Sequence, residues 1–198
     1  MNIILKYFIL ITAFASLTLV SCKEKEKPAA DTTVAADKGT YFSIKKFSLD
    51  EWETHAGEPI TFQKTIVENG KTTDSSFVNA EHLDWVAVLK IFTETDISDR
   101  SFLGKYSFTQ FEDSLDNTHN FLYLANDKEL FTQKLLITMD INTMQLRGVF
   151  IETFKKTFWN ETHQKLFYAP VAIIQMQEYE NPLIGSKKEK ITKYEVVR

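Results

Sequence analysis

The side chains with the clearest chemical potential are two clusters of carboxylates. Glu112, Asp113 and Asp116 lie in "FEDSLDNTHN", and Asp96 and Asp99 lie in "TDISDR". Carboxylate oxygens can ligate calcium or serve as acids and bases. Neither cluster has the spacing of an EF-hand loop, and both lie where Asp and Asn commonly form hydrogen bonds within turns. The sequence therefore favours solvated turns over a metal or catalytic site.

The histidines and the nucleophile motifs also give no sign of a metal or catalytic site. The four histidines are His55, His82, His119 and His163, and they form no His-Glu-x-x-His array. The chain also has no Gly-x-Ser-x-Gly elbow and no phosphate-binding glycine loop. We therefore predict a protein without catalytic residues, metal or cofactor. A constellation assembled from distant residues is the alternative.

The single cysteine follows an apolar segment near the start of the chain. Lys6 precedes 14 uncharged residues, "YFILITAFASLTLV", and Ser21 and Cys22 come next. This segment is shorter than the roughly 20 residues that a membrane-spanning helix needs, and it is typical of the apolar region of an export signal. We predict a signal peptide over residues 1–21.

The tetrapeptide Leu19-Val20-Ser21-Cys22 resembles the lipobox of bacterial envelope lipoproteins. In that family the cysteine is lipidated and becomes the first residue after cleavage, so the resemblance implies acyl chains on Cys22 and a membrane as partner. Two or three acyl chains hold a protein at a membrane far more firmly than one. We expect a lipid-anchored protein of the outer membrane, on either its periplasmic or its surface face.

Residues 22–40 then form the lipidated cysteine and a flexible tether. The sequence "KEKEKPAADTTVAADKGT" has no aromatic residue and no helical or strand periodicity. A flexible chain of this length spans about 25 Å. Thr32, in "DTT", and Ser114, in "DSL", resemble the sites that are O-glycosylated in some bacterial envelopes.

Composition limits the partners of the remaining chain. The net charge is −4, and Lys and Arg are dispersed along the sequence. Nucleic acid binding needs a clustered basic surface, so we predict no nucleic acid partner. The 16 Phe, 7 Tyr and 3 Trp supply enough apolar area for a packed core in a single domain over residues 41–198.

Three local patterns predict the first half of this domain. Ser48 and Glu51 match a capping box and predict a short helix that begins at Ser48. Asn69-Gly70 suits the turn of a hairpin. A stripe at helical spacing after Asn79 predicts a second helix with Asn79 as its N-cap. That stripe comprises Trp85, Val88, Leu89 and Phe92.

From residue 101 the pattern changes to strands with short polar connections. Phe131, Leu135, Ile137, Met139 and Ile141 alternate, as do Leu146, Phe150 and Phe154. We predict a β-rich α+β fold: an antiparallel meander of about seven strands curled into a half-barrel or barrel, with an early hairpin and two short helices. This order of elements is similar to that of the half-barrel lipoprotein carriers and to lipocalin-like barrels.

Aromatic side chains offer two functions. They can fill the core, or some can line an apolar pocket that binds a lipid or acyl chain. The candidate ligand-binding residues are Phe62, Trp85, Phe92, Phe131, Phe150 and Trp159. We expect a ligand-binding envelope lipoprotein. The alternative is an interaction module that docks onto an envelope protein complex and binds no small ligand.

Overall fold

A computed structural model describes residues 41–55 and 57–197. The predicted signal peptide, Cys22, the tether and Thr32 lie outside these residues. The described residues contain a nine-stranded sheet and a hydrophobic core of their own. We therefore expect the segment 23–198 to fold without the signal peptide or acyl chains.

All nine strands belong to one antiparallel sheet with the order β2-β1-β9-β8-β7-β6-β5-β4-β3. The strands are β1 Thr61–Glu68, β2 Lys71–Asn79, β3 Tyr106–Asp113, β4 Thr118–Ala125, β5 Thr132–Asp140, β6 Leu146–Lys156, β7 Asn160–Ala169, β8 Ile173–Pro182 and β9 Lys188–Val196. The meander β3 to β9 agrees with the expected strand number, and the hairpin extends it because β1 pairs with β9. The sheet is not closed, since β2 and β3 are its two edges.

The β1–β2 hairpin forms at the predicted turn. Asn69 and Gly70 have φ angles of 50° and 78°. Positive φ at both central residues is the requirement of a type I′ turn, whose twist matches that of the flanking strands. The Asn-Gly prediction is therefore confirmed.

Both helices are present, but each begins at a different residue from the one predicted. Helix α1 is Ile44–His55, so Ser48 lies inside it rather than at its N-cap. Helix α2 is Trp85–Thr93, and a 3₁₀ turn, Ala80–His82, follows Asn79. The Asp84 carboxylate caps α2 by accepting a hydrogen bond from the Ala87 N–H at 3.0 Å.

The start of α1 depends on a residue from far along the chain. The Ser43 hydroxyl accepts the Lys46 N–H at 3.2 Å, which is a local cap. Asp96, in the segment after α2, accepts the Ile44 N–H at 2.8 Å. This contact ties the two helical segments together. A local sequence pattern cannot predict it.

One face of the sheet, called here the inner face, packs against the helices. Phe47 of α1 and Phe92 of α2 both contact the Tyr168 ring of β7, with ring centroids 5.4 Å and 6.4 Å apart. The predicted stripe of α2 is confirmed, because its four residues are all buried. Leu135, Ile151 and Leu166 continue the core across neighbouring strands with no exposed surface.

In strand β6, Phe150 does not fill the core, contrary to the expectation for the aromatic residues. Val149 and Ile151 are fully buried on the inner face. Phe150, between them, lies on the opposite, outer face, because successive strand residues alternate. There it stands beside Leu136 and Phe167 on the neighbouring strands.

Within the described ranges, neither helix has the length and hydropathy needed to cross a bilayer.

Candidate functional site: a groove between the two helices

The six candidate ligand-binding residues do not converge on one cavity. Phe62, Trp85 and Phe92 are buried between the helices and the sheet. Phe150 is half-buried on the outer face, and Trp159 is 65% exposed at the β6–β7 turn. Phe131 lines a recess of about 360 Å³ together with Phe154 and charged residues of neighbouring segments.

The space beneath the helices is filled. Phe62 and Trp85 pack edge to face, with ring centroids 5.9 Å apart. The cavity that both rings border has a volume of about 10 Å³. That volume holds at most one water molecule. An apolar ligand therefore has no room at this place.

A larger apolar groove lies between α1 and α2. Its volume is about 240 Å³. Its walls are Lys45, Ser48 and Leu49 of α1 and Trp85, Val86, Leu89, Lys90 and Thr93 of α2. Trp85 thus belongs to both the core and the groove wall.

Helical spacing explains why these residues face one another. Lys45, Ser48 and Leu49 stand at positions i, i+3 and i+4 of α1, and Val86, Leu89, Lys90 and Thr93 stand at i, i+3, i+4 and i+7 of α2. Residues at this spacing share one face of a helix. The groove is the line along which these two faces meet.

The groove combines apolar walls with two cations. Leu49 and Val86 are 45% and 62% exposed, so water meets apolar surface there. Lys45 and Lys90 also line the groove, whose surface is almost entirely apolar; both side chains are exposed to solvent, and the Lys90 ammonium lies 3.9 Å from Glu94. The Trp85 indole N–H donates to the Ala80 carbonyl at 2.8 Å, which satisfies the only donor of the indole. The groove is therefore suited to an apolar group, and the two exposed lysines beside it can meet an acidic end.

Ser48 is a polar residue on the wall of this groove. Only 1% of its surface is exposed, and its hydroxyl has no hydrogen-bond partner among the described residues. An unsatisfied buried hydroxyl costs about 1–3 kcal/mol. The position of Ser48 therefore lowers the stability of the folded protein.

A recess more voluminous than the groove is a different kind of site. It has a volume of about 770 Å³ and lies beside the ends of β1, β8 and β9. Its lining residues are Glu68, Asn69, Glu178, Glu180, Ser186, Lys187, Lys188, Glu189 and Lys190. Ion pairs cross it, such as Lys190 with Glu68 at 3.7 Å. This charged surface does not suit an apolar ligand.

One group of ionisable side chains gathers at the end of α1. The His55 ring nitrogens lie 2.9 Å from Glu58 and 3.3 Å from Glu51, and Tyr168 donates its hydroxyl to Glu51. Burial and this hydrogen bond raise the pKa of Tyr168. Both His55 nitrogens are occupied, and the adjacent cavity of about 10 Å³ admits no substrate. The group fastens α1 to β7.

The carboxylate clusters lie in turns. Asp113 accepts the Leu115 N–H at 2.9 Å, and Asp99 accepts the Ser101 N–H at 2.8 Å. This hydrogen bonding to Ser101 lowers the pKa of Asp99. Within residues 41–55 and 57–197, no three His, Cys, Asp or Glu side chains are placed to hold a metal ion. Ser114 is exposed in the turn between β3 and β4, where modifying enzymes have access.

Comparison with known proteins adds no assignment: no family model, curated protein or solved structure matches this chain.

Sequence reasoning missed most of the groove. Of the candidate residues, only Trp85 lines it. The missed signal is Val86, an apolar residue of α2 that lies outside the buried stripe and is 62% exposed. A helix that has apolar residues outside its buried stripe has a second surface to cover.

Proposed function

We propose that this protein is a lipid-anchored protein of the cell envelope whose folded domain binds an acyl chain with an acidic head group in the α1–α2 groove. The binding is non-enzymatic. The observation that carries the proposal is the groove itself, where exposed Leu49 and Val86 lie beside Lys45 and Lys90.

The charge of the groove favours an acidic ligand. Ammonium groups attract carboxylate or phosphate, and because Lys45 and Lys90 are exposed this attraction weakens as the salt concentration rises. The four apolar side chains of the walls gain free energy when an acyl chain covers them, by about 25 cal/mol for each Å² removed from water. Fatty acids and acidic phospholipids combine these two features.

The size of the groove limits the portion of ligand that it holds. Its volume of about 240 Å³ exceeds the roughly 150 Å³ cavity that accommodates benzene and falls below the usual range of about 300–1,000 Å³ for drug-sized ligands. A short acyl chain, or the part of a longer chain nearest its head group, fits this volume.

Native mass spectrometry of segment 23–198 tests this function. After incubation with a lipid extract and removal of free lipid, the proposal expects an added mass that corresponds to a fatty acid or acidic lipid. Neutral lipids should be absent. A protein that retains its unliganded mass after exposure to every lipid class would contradict the proposal.

The anchor part of the proposal is supported by Leu19-Val20-Ser21-Cys22 and the preceding apolar segment. Cys22→Ala should prevent lipidation and cleavage, because acyl transfer to a lipobox cysteine requires its thiol. Metabolic labelling with an alkyne fatty acid should mark the natural chain and leave the variant unlabelled. Equal labelling of both chains would contradict the anchor. The residue after Cys22 is Lys, and we propose residence at the outer membrane.

We also propose that the open sheet curls around the helices as a half-barrel. Strongly twisted open sheets of about this many strands tend to curl. Spin labels at exposed positions of the edge strands, Phe77 of β2 and Phe111 of β3, would measure the distance between the edges. A distance near eight times the usual strand spacing of about 4.8 Å would indicate a flat sheet and contradict the curl.

A second candidate function is docking onto an envelope protein, and an apolar row on the outer face favours it. Leu122, Leu136, Phe150 and Phe167 are cross-strand neighbours on β4 to β7. A photo-crosslinking residue at the adjacent Leu124 should then trap one discrete partner in cells. The same group at Leu115, in the β3–β4 turn, is the control. Identical patterns at both positions would exclude this function.

A further inference from the structure

Four large apolar side chains are exposed together at the tips of two neighbouring hairpins. Phe158 and Trp159 occupy the β6–β7 turn, and Leu183 and Ile184 begin the β8–β9 connection. Their exposed fractions lie between 65% and 81%. Together they expose an apolar area on the order of 500 Å², which is at the upper end for a single patch on a soluble monomer. These four residues are called the tip patch below.

The two tips are held side by side by the backbone. The Leu183 N–H donates to the Trp159 carbonyl at 2.8 Å, and Asn160 pairs with Pro182 at the adjoining ends of β7 and β8. Within the first tip, the Thr157 N–H donates to the Asn160 carbonyl at 2.8 Å. The tip patch is therefore a preformed surface.

Lysines surround the base of the tip patch. Lys155 and Lys156 end β6, and Lys187 and Lys188 lie at the start of β9. Lys156 pairs with Glu161 at 2.5 Å, and Lys188 lies 4.0 Å from Glu180. Lys155 and Lys187 have no carboxylate oxygen within 4.0 Å in the part of the chain that the structure describes. One exposed cation at the base of each tip is thus available to another charge.

We propose that the tip patch inserts into the surface of a lipid bilayer that contains anionic phospholipids. The apolar side chains project from turns and form no groove, so they suit a soft surface into which they can sink. Trp favours the boundary between head groups and acyl chains, and nearby lysines bind anionic head groups. Free Lys155 and Lys187 supply that charge.

The position of the tip patch agrees with a membrane on this side of the sheet. Strand pairing places the end of β6, the end of β8 and the start of β3 at the same end of the strands. Tyr41, the first described residue, donates its hydroxyl to the Tyr106 carbonyl at the start of β3. Tyr41 therefore contacts the end of the sheet that carries the tip patch.

Vesicle co-sedimentation of segment 23–198 tests the proposal. This segment lacks Cys22, so the result does not depend on the anchor, and the variants below leave every groove residue unchanged. Wild-type protein should sediment with vesicles of phosphatidylcholine and phosphatidylglycerol and less well with phosphatidylcholine alone. Phe158→Ser/Ile184→Ser should lower the partition coefficient at least about tenfold, because two apolar contacts with the bilayer are lost.

A matched double variant provides the control. Phe77→Ser/Leu115→Ser removes the same kinds of side chain from positions that are 70% and 94% exposed away from the tips. Its partition coefficient should stay within about twofold of wild type. Lys155→Gln and Lys187→Gln should each weaken binding to anionic vesicles about fivefold and leave binding to phosphatidylcholine unchanged.

Two results would overturn the proposal. One is equal loss of binding in the tip and control variants, with unchanged circular dichroism. The other is a wild-type segment that binds neither kind of vesicle and elutes as a dimer, while the Phe158→Ser/Ile184→Ser variant elutes as a monomer. The tip patch would then be a contact between copies of this chain.

Discussion

Ser48 shows how one residue can weaken the fold at a binding groove. Its hydroxyl is buried without a partner among the described residues, and it occupies an interior position of α1. A buried serine of this kind loses hydration without a compensating hydrogen bond. Serine is also a poorer helix former than alanine. Ser48 therefore lowers the free energy of unfolding.

Ser48→Ala should raise the free energy of unfolding by about 1 kcal/mol, because it removes the unsatisfied hydroxyl and improves helix propensity. Urea denaturation monitored by circular dichroism measures the change. Thr54→Ala is a suitable comparison, since the Thr54 hydroxyl is exposed and donates to the Asp50 carbonyl at 2.8 Å. A loss of stability in Ser48→Ala would mean that its hydroxyl has a bonding partner in solution.

Tyr106 links stability to alkaline pH. Burial, with a smaller contribution from nearby Tyr41, raises the pKa of Tyr106 to about 12 from its ordinary value of 10. Its hydroxyl donates to the Thr132 carbonyl at 2.9 Å. Between pH 10 and 12 the unfolded chain has lost this proton and the folded chain retains it. The contribution to stability is therefore complete below pH 10 and disappears as the pH rises through 12.

Tyr106→Phe should make the free energy of unfolding fall less steeply with pH in this range, because the phenyl ring cannot ionise. The slope should decrease by up to the contribution of about one proton per molecule. Urea denaturation at several pH values from 9 to 12 gives the slope. Other buried tyrosines, such as Tyr123, have pKa values raised in the same direction, so the variant should retain part of the decline. An unchanged slope would show that Tyr106 ionises normally in the folded protein.

At the scale of elements, Asp96 connects α1 to the segment after α2. Its carboxylate accepts the Ile44 N–H at 2.8 Å and the Ser98 hydroxyl at 2.8 Å. The first N–H groups of a helix have no partner within the helix, so a cap from another segment both satisfies one and fixes the helix in place. The groove depends on this placement because its two walls belong to different helices.

Asp96→Ala should lower the free energy of unfolding by about 1–2 kcal/mol, because the Ile44 N–H loses its acceptor. Asp96→Asn keeps an acceptor oxygen and should lose less. Asp99→Ala is the matched control, since Asp99 caps only a 3₁₀ turn, Arg100–Phe102. Chemical denaturation measures all three variants. Equal losses for Asp96→Ala and Asp99→Ala would show that the long-range cap has no special role.

The elements differ in how well their sequence predicts them. The Asn69-Gly70 hairpin and the buried stripe of α2 depend on neighbouring residues, and both were predicted. The start of α1 was not, because Asp96 lies far from Ile44 in the chain. The alternation of Leu146, Phe150 and Phe154 predicts a strand, but the core takes Val149 and Ile151 from its other face. Local patterns predict turns and stripes, whereas tertiary contacts decide where helices begin and which strand face is buried.

The candidate site was predicted least well, for a physical reason. The sequence predicts aromatic residues as ligand contacts, but Phe62 and Phe92 are buried in the core. The groove instead uses the smaller Leu49 and Val86 on the exposed sides of two helices. Its existence depends on how closely α1 and α2 approach, which no single-helix pattern specifies.

At the scale of the whole molecule, the described domain has apolar surface in four places. The core lies between the helices and the inner face, and the row of Leu122, Leu136, Phe150 and Phe167 lies on the outer face. The groove lies between the helices, and the tip patch lies at one end of the sheet. We propose that acyl chains on Cys22 hold the protein at a membrane and that the groove and the tip patch both bind lipid. The anchor, the groove and the tip patch are thus three proposed lipid contacts of one envelope protein.

The most direct test of this account is the affinity of segment 23–198 for dodecanoic acid, measured by isothermal titration calorimetry. Leu49→Glu places a carboxylate in the groove and should raise Kd at least about tenfold, which corresponds to about 1.4 kcal/mol. Leu115→Glu makes the same change in the exposed β3–β4 turn and should leave Kd within about twofold of wild type. Equal affinities for all three proteins, or no binding by wild type, would contradict the account.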